Sequence, residues 1–230
     1  RSTKKLDVSQ AAAYISAGGP LDTGETYFEE RPSQIQLLSM IANSFNKDGV
    51  GVYEAGTGVG KSYAYLIPSI LWAADNKERV VISTGTISLQ QQLAEKDVPA
   101  AMKITGKSLK FTLMKGRQNY VCLRRLNDLL AEPDLFSDEG DELKALADWT
   151  KTTESGSRSD LTFVPSEYLW SRVCSESDSC IGMRCKYHSQ CFVMRVRKEA
   201  ADAQILIVNH HLLFADIEAR LSGLGYKDMA

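Results

Sequence analysis

Two stretches of this sequence gather side chains able to do chemistry. The first is Glu54-Ala55-Gly56-Thr57-Gly58-Val59-Gly60-Lys61-Ser62. Its glycines let the backbone bend until successive N–H groups point at one spot. With a helix N-terminus behind them, such groups cradle phosphate oxygens. In that arrangement Lys61 reaches the β and γ phosphates of ATP and the Ser62 hydroxyl ligates Mg2+. Ala55 stands where this pattern usually has its first Gly. The bland alternative is a glycine-rich turn that happens to hold a lysine, but the motif falls between a predicted strand and a predicted helix, as phosphate binding requires. Upstream, Arg31-Pro32-Ser33-Gln34 sets a guanidinium and an amide before the first long helix. A Gln amide both donates to and accepts from adenine, so Arg31 and Gln34 join residues 55–62 as expected nucleotide contacts; the plainer reading is a solvated helix start.

The second stretch is Cys180-x4-Cys185-x5-Cys191, with Cys122 far upstream. Four thiolates satisfy a [4Fe-4S] cluster, and a distant fourth ligand is normal there. Zinc ribbons more often pair cysteines two to four residues apart, which weighs against zinc. Cys174 is left over as a spare thiol or a substitute for Cys122, and His188 is a further possible ligand. On spacing alone iron–sulfur, zinc and inert core thiols all stay open.

The elements that must position these groups alternate. Helix is expected from residue 32 to about 46, strand at 50–54, helix from 61 to about 74, and strand at 79–84. A helix at 88–96 capped by Ser88 follows, then a strand candidate at 110–114. Such alternation argues for an α/β fold with a parallel sheet covered on both faces. Residues 116–203 break the rhythm with mostly helical patterns and the cysteines, so they read as an insertion. Strand character returns at 204–208, and a helical run to about 221 follows. The division expected is therefore a lead-in at 1–30, a first sheet portion at 31–115, the insertion at 116–203, and a return at 204–230.

The 230 residues are 43% hydrophobic, enough for one core and a small satellite. With 27 basic and 29 acidic residues, no global positive field marks a nucleic-acid binder, so DNA contact must use local patches. No apolar run approaches the roughly 18 to 20 residues that span a bilayer. The first residues lack a signal-peptide apolar stretch, and five cysteines, an odd count, suit a reducing compartment. The expectation is a cytoplasmic protein with no membrane partner.

In order along the chain, RPSQ, EAGTGVGKS, STGTISLQQQL, KGRQNYVC, the C-x4-C-x5-C run and ILIVNHHLL resemble the DinG and XPD family of superfamily 2 DNA helicases, the bacterial DinG-like branch most closely. That family tolerates Ala55 in the phosphate loop. The resemblance implies a RecA-like P-loop sheet domain, here truncated, with an inserted, mainly helical iron–sulfur domain whose [4Fe-4S] cluster sits on Cys122, Cys180, Cys185 and Cys191. It also implies ATP hydrolysis coupled to 5′-to-3′ movement on single-stranded or forked DNA, and a DNA-backbone contact at Thr84, Thr86 and the helix start at 88–93. Hydroxyls and a helix N-terminus suit phosphates, although Gln90, Gln91 and Gln92 read equally well as a polar helix face. Basic residues crowd the cysteines: Lys115, Arg117, Arg124 and Arg125 on one side, Arg184, Lys186, Arg195, Arg197 and Lys198 on the other. With Tyr120, Tyr187 and Phe192 interleaved they form either a positive groove with stacking surfaces, in which Arg117, Tyr120 and Arg195 touch DNA, or a solvated charged face.

A P-loop motor also needs an acidic motif at the end of a hydrophobic strand. The pairs Asp138-Glu139 and Asp141-Glu142 follow no such strand, and the second motor domain is missing. The expectation is a part of a longer helicase, inactive in unwinding by itself. Two other classes remain: a zinc-stabilised DNA-binding module that catalyses nothing, and a redox-responsive regulator whose DNA affinity tracks cluster oxidation.

Overall fold

A computed structural model describes residues 3–23, 28–132 and 139–222. Of the sequence expectations, Asp138 and the end of the 204–230 segment lie outside these residues. The chain divides into two units, Arg1–Leu113 with Asp202–Leu213, and Met114–Ala201 with Phe214–Ala230.

The first unit runs α1 (Val8–Ala13), α2 (Pro32–Lys47), α3 (Lys61–Asn76), β1 (Val80–Thr84), α4 (Ile87–Gln92), a π-helical turn (Leu93–Asp97), α5 (Val98–Thr105), β2 (Phe111–Leu113) and β3 (Ile205–Asn209). Its sheet is parallel with order β1-β3-β2. Val80 and Phe111 both face Ile205 in register, so the strand that arrives last in sequence sits in the middle. A central parallel strand is buried on both faces and needs an unbroken apolar run, which Ile205, Leu206, Ile207 and Val208 supply; none of the four exposes any surface. On one face Leu66, Ile70 and Ala73 of α3 join Leu93, Val98 and Ala101 against Ile82, Ile205 and Ile207. The opposite side of α3 packs Ala64 and Ile67 on Leu37 and Leu38 of α2 and on Ala11 and Ile15.

Two sequence expectations give way here. Residues 50–54 form no strand, and Val50 and Val52 stand 99% and 94% exposed. β-branched residues favour a strand only where a neighbouring strand and a packing surface exist, and among the described residues nothing pairs with this segment. The helix expected at Ser88 begins earlier: Thr86 is the N-cap, its hydroxyl accepting from the Leu89 N–H at 3.2 Å. β1 ends at Thr84, which makes Thr86 the first residue able to satisfy the free N–H groups of the next turn.

The second unit is built from α6 (Leu123–Leu130), α7 (Glu139–Trp149), α8 (Glu167–Val173) and α9 (Phe192–Asp202), joined by loops and single 3-10 turns. α10 (His210–Leu221) follows β3. Leu126, Leu129, Leu143, Leu146, Leu169 and Trp170 anchor the second unit's core. The segment carrying Tyr120 and Val121 is clasped from both sides: Val121 N–H donates to the Gly156 carbonyl at 3.0 Å, Cys122 N–H to Val173 at 2.8 Å, and Ser175 N–H to Tyr120 at 2.8 Å. Gly156 sits at φ +65°, and a Cβ on it would fall inside the buried Phe192 ring. Gly156→Ala therefore combines left-handed strain with overpacking and is expected to lower stability by about 2–4 kcal/mol. Urea unfolding checks this, and a loss under about 0.5 kcal/mol, the scale of a neutral surface change, would show that the ring moves aside freely. Among the described residues no helix is long and apolar enough to cross a membrane.

Candidate nucleotide loop and cysteine recess

In the first unit, Gly58 and Gly60 hold φ values of +79° and +82°, a region that side chains with a Cβ rarely occupy. Gly60 is the N-cap of α3, so the loop delivers its backbone directly onto a helix of 16 residues whose N-terminus carries positive potential. Lys61 Nζ curls over the loop and donates to the carbonyls of Ala55 and Gly56 at 2.9 and 2.6 Å. Ser62 follows in the first turn of α3. Arg31 and Gln34 also lie against this loop: Arg31 donates to the Gly58 carbonyl at 2.7 Å, and the Gln34 amide to Gly60 at 2.8 Å. Gln34 is buried, and a Cβ on Gly60 would run into its amide. These two side chains brace the bent backbone, a role that residue type alone did not announce. A recess beside the loop is lined by Ser33, Gln36, Met40, Tyr53, Glu54 and Val59.

Thr84 and Thr86 lie at the end of β1 and the start of α4. Thr84 is buried and its hydroxyl donates to the Thr86 carbonyl at 3.0 Å. It shapes the turn, whereas Thr86 is exposed at the cap. Gln90 is buried, so the three glutamines do not form one polar face. Nearby, Ser83 Oγ and His210 Nδ1 are 2.7 Å apart, linking β1 to the residue after β3.

In the second unit, Cys122, Cys180, Cys185 and Cys191 line one recess together with Arg117 and His188. Cys122 caps α6, Cys180 and Cys185 flank the turn Gly182–Arg184, and Cys191 ends the turn His188–Gln190. The Cys180 thiol is held below its ordinary range, chiefly by the Gly182 N–H and further by Arg117 and Arg197, a setting that favours thiolate. Cys174 does not line this recess. It is buried, burial pushes its thiol up, and its Sγ contacts the Ser171 carbonyl at 3.7 Å. Among the described residues no three His, Cys, Asp or Glu side chains converge on a single ion. Thiolates around a [4Fe-4S] cluster each take a different iron, and the four cysteines on this recess are the donor set such a group would need.

Three basic residues near the recess, Arg117, Arg124 and Arg125, hold the segment leading into Cys180. Arg124 donates to the Ser179 carbonyl at 2.7 Å and to Asp128 at 3.0 Å. Arg125 holds the carbonyls of Cys174 and Ser171 at 2.8 and 2.9 Å and pairs with Glu176 at 2.6 Å. Arg117 reaches the Glu176 carbonyl at 3.4 Å. Lys115 is buried against the hydroxyls of Ser157 and Ser159 at 3.1 and 2.6 Å. Arg195 lies 5.4 Å from the Phe192 ring and donates to the Glu154 carbonyl at 2.7 Å. Of the aromatics expected as stacking surfaces, Tyr120 and Phe192 are core residues, 3% and 4% exposed. The Tyr120 hydroxyl accepts from the Lys115 N–H at 3.1 Å, and burial pushes its pKa up to about 12. Large rings gain more by leaving water than by facing it, and of the three only Tyr187 keeps partial exposure, beside Lys186 at 5.0 Å.

No family model matches the chain. It is similar to the ATP-dependent DNA helicase YoaA of Haemophilus influenzae, with 34% identity over 223 residues that cover 94% of this chain and 34% of that protein. YoaA of Escherichia coli is 38% identical over 200 residues, 86% of this chain and 31% of that protein. The ATP-dependent helicase DinG of Mycobacterium tuberculosis is 35% identical over 209 residues, 82% and 31% respectively. The chain thus spans about a third of the length of these relatives. By sequence, it is a partial member of the family to which the DinG and YoaA helicases belong.

Proposed function

We propose that this chain is the ATP-binding and cluster-binding portion of an ATP-dependent DNA helicase of the DinG type, which moves 5′ to 3′ on single-stranded or forked DNA in the cytoplasm. The observation that carries the reading is the phosphate loop: two glycines in left-handed backbone, a lysine folded over them, and a helix that starts at that point. Residues 31–115 and 204–230 form a truncated RecA-like motor domain in this reading, and residues 116–203 its iron–sulfur insertion.

Loop N–H groups and the α3 N-terminus bind the phosphates of ATP, Lys61 exchanges its carbonyl partners for phosphate oxygens, and Ser62 offers its hydroxyl to Mg2+. Arg31 and Gln34 keep the loop in shape and border the base. Cys122, Cys180, Cys185 and Cys191 hold a [4Fe-4S] cluster, which supplies a rigid covalent centre and a one-electron couple when bound. Arg124 and Arg125 fix the loop that carries Cys180. Thr86 at its helix start, with Arg117 and Arg195, contacts the DNA backbone. Thr84 and Tyr120 support these contacts from within. Among the described residues no strand ends in an acidic pair, and in this reading the chain alone binds nucleotide and DNA without unwinding.

The test is metal analysis of protein purified without oxygen, combined with titration of a fluorescent ATP analogue with and without Mg2+. About four irons and four sulfides per chain, with Mg2+-dependent nucleotide binding, are expected. Stoichiometric zinc without iron would make the protein a zinc-stabilised module, and nucleotide binding indifferent to Mg2+ would remove the motor assignment.

A further inference from the structure

We infer that His188 is a hydrogen-bond donor to the sulfur atoms of the group held by the four cysteines and thereby raises its reduction potential. The inference rests on the reading of the recess as an iron–sulfur site. His188 opens the single 3-10 turn between Cys185 and Cys191. Its backbone is fixed on both sides: its N–H donates to the Cys185 carbonyl at 2.9 Å, and its carbonyl accepts from the Cys191 N–H at 3.3 Å. The imidazole lines the same recess as all four cysteines. Its Nε2 is buried and has no hydrogen-bond partner.

A buried ring nitrogen without a partner costs free energy unless something in its surroundings answers it. Arg124 at the recess is turned to the Ser179 carbonyl, and Arg117 is shared between the Glu176 carbonyl and the Cys180 thiol, so the imidazole is the recess side chain whose buried ring nitrogen is still unanswered. Thiolates and inorganic sulfides accept hydrogen bonds and have no proton to give. The partner therefore selects the form in which Nε2 carries hydrogen, since the bond one ring nitrogen makes decides the tautomer. A donor at a cluster sulfur stabilises the additional electron of the reduced state, so the cluster becomes easier to reduce. Direct ligation of iron by Nε2 would require the opposite tautomer and is the competing role.

The test compares the parent protein, purified without oxygen, with His188→Ala and His188→Gln by iron and sulfide content and by stepwise reduction with dithionite in the presence of redox mediators, followed by electron paramagnetic resonance. The expected result is about four irons in all three proteins, a midpoint shifted to more negative potential in His188→Ala, and partial recovery in His188→Gln, whose amide can donate. An unchanged midpoint in His188→Ala with full iron content overturns the inference and leaves the cluster reading standing. Loss of iron in both variants makes His188 a ligand or a structural support and overturns it equally. A parent protein without iron removes the cluster reading itself.

Discussion

Replacing Lys61 by Ala is expected to weaken MgATP binding roughly ten- to hundredfold with little effect on folding. A charge-assisted hydrogen bond contributes roughly 1.5–3 kcal/mol, and about 1.4 kcal/mol corresponds to a factor of ten in affinity. The ammonium meets phosphates of opposite charge, whereas its partners in the structure are neutral carbonyls of Ala55 and Gly56. The side chain is exposed, so its removal opens no cavity. The left-handed conformations of Gly58 and Gly60, braced by Arg31 and Gln34, do not depend on it. Titration calorimetry with MgATP, beside a thermal unfolding curve, separates the two effects. Binding within twofold of the parent would mean that the loop N–H groups and the helix terminus do the work alone. A collapse of thermal stability would instead make Lys61 a structural clamp.

Four of the five cysteines are expected to be individually indispensable for metal content, and the fifth dispensable. Serine at Cys122, Cys180, Cys185 or Cys191 should reduce iron from about four per chain to a small fraction and bleach the visible absorption. Cys174→Ser should keep both. The basis is placement: the first four line one recess and Cys174 does not. Its thiol is pushed up by burial and rests on the Ser171 carbonyl, in the surroundings of a small core side chain. Because a site of this kind contributes its binding free energy to folding, the four serine variants should also unfold at lower urea concentration than the parent. Retention of iron in Cys122→Ser with its loss in Cys174→Ser would exchange the roles of these two residues. Retention in all five would remove the cluster.

What the sequence determined by itself was local or contiguous. The glycine-rich loop at residues 55–62 was legible because the phosphate chemistry proposed for it needs one unbroken run of glycines, a lysine and a hydroxyl between two elements. α2 and α3 announced themselves through Pro32 at a first turn and through long periodic faces, and β3 through a run of β-branched residues that only a doubly covered strand demands. The compact run of Cys180, Cys185 and Cys191 stood out because the spacing of such a run is also a chain-local property.

Tertiary structure decided everything that depends on which distant group arrives next. Residues 50–54 have the composition of a strand, but a ladder needs a second backbone, and among the described residues none lies beside them. Tyr120 and Phe192 look like stacking surfaces in one dimension; burial removes them because the fold gathers them into one core with Trp170 and Val173, which are distant from both in sequence. Arg124 and Arg125 read as free charge until the carbonyls of Ser179, Cys174 and Ser171 are placed within reach. Cys174 and Cys122 differ by nothing in spacing that separates a ligand from a spare thiol. The structure buries Cys174 and places Cys122 on the recess, a difference of packing that has no signature in the order of residues.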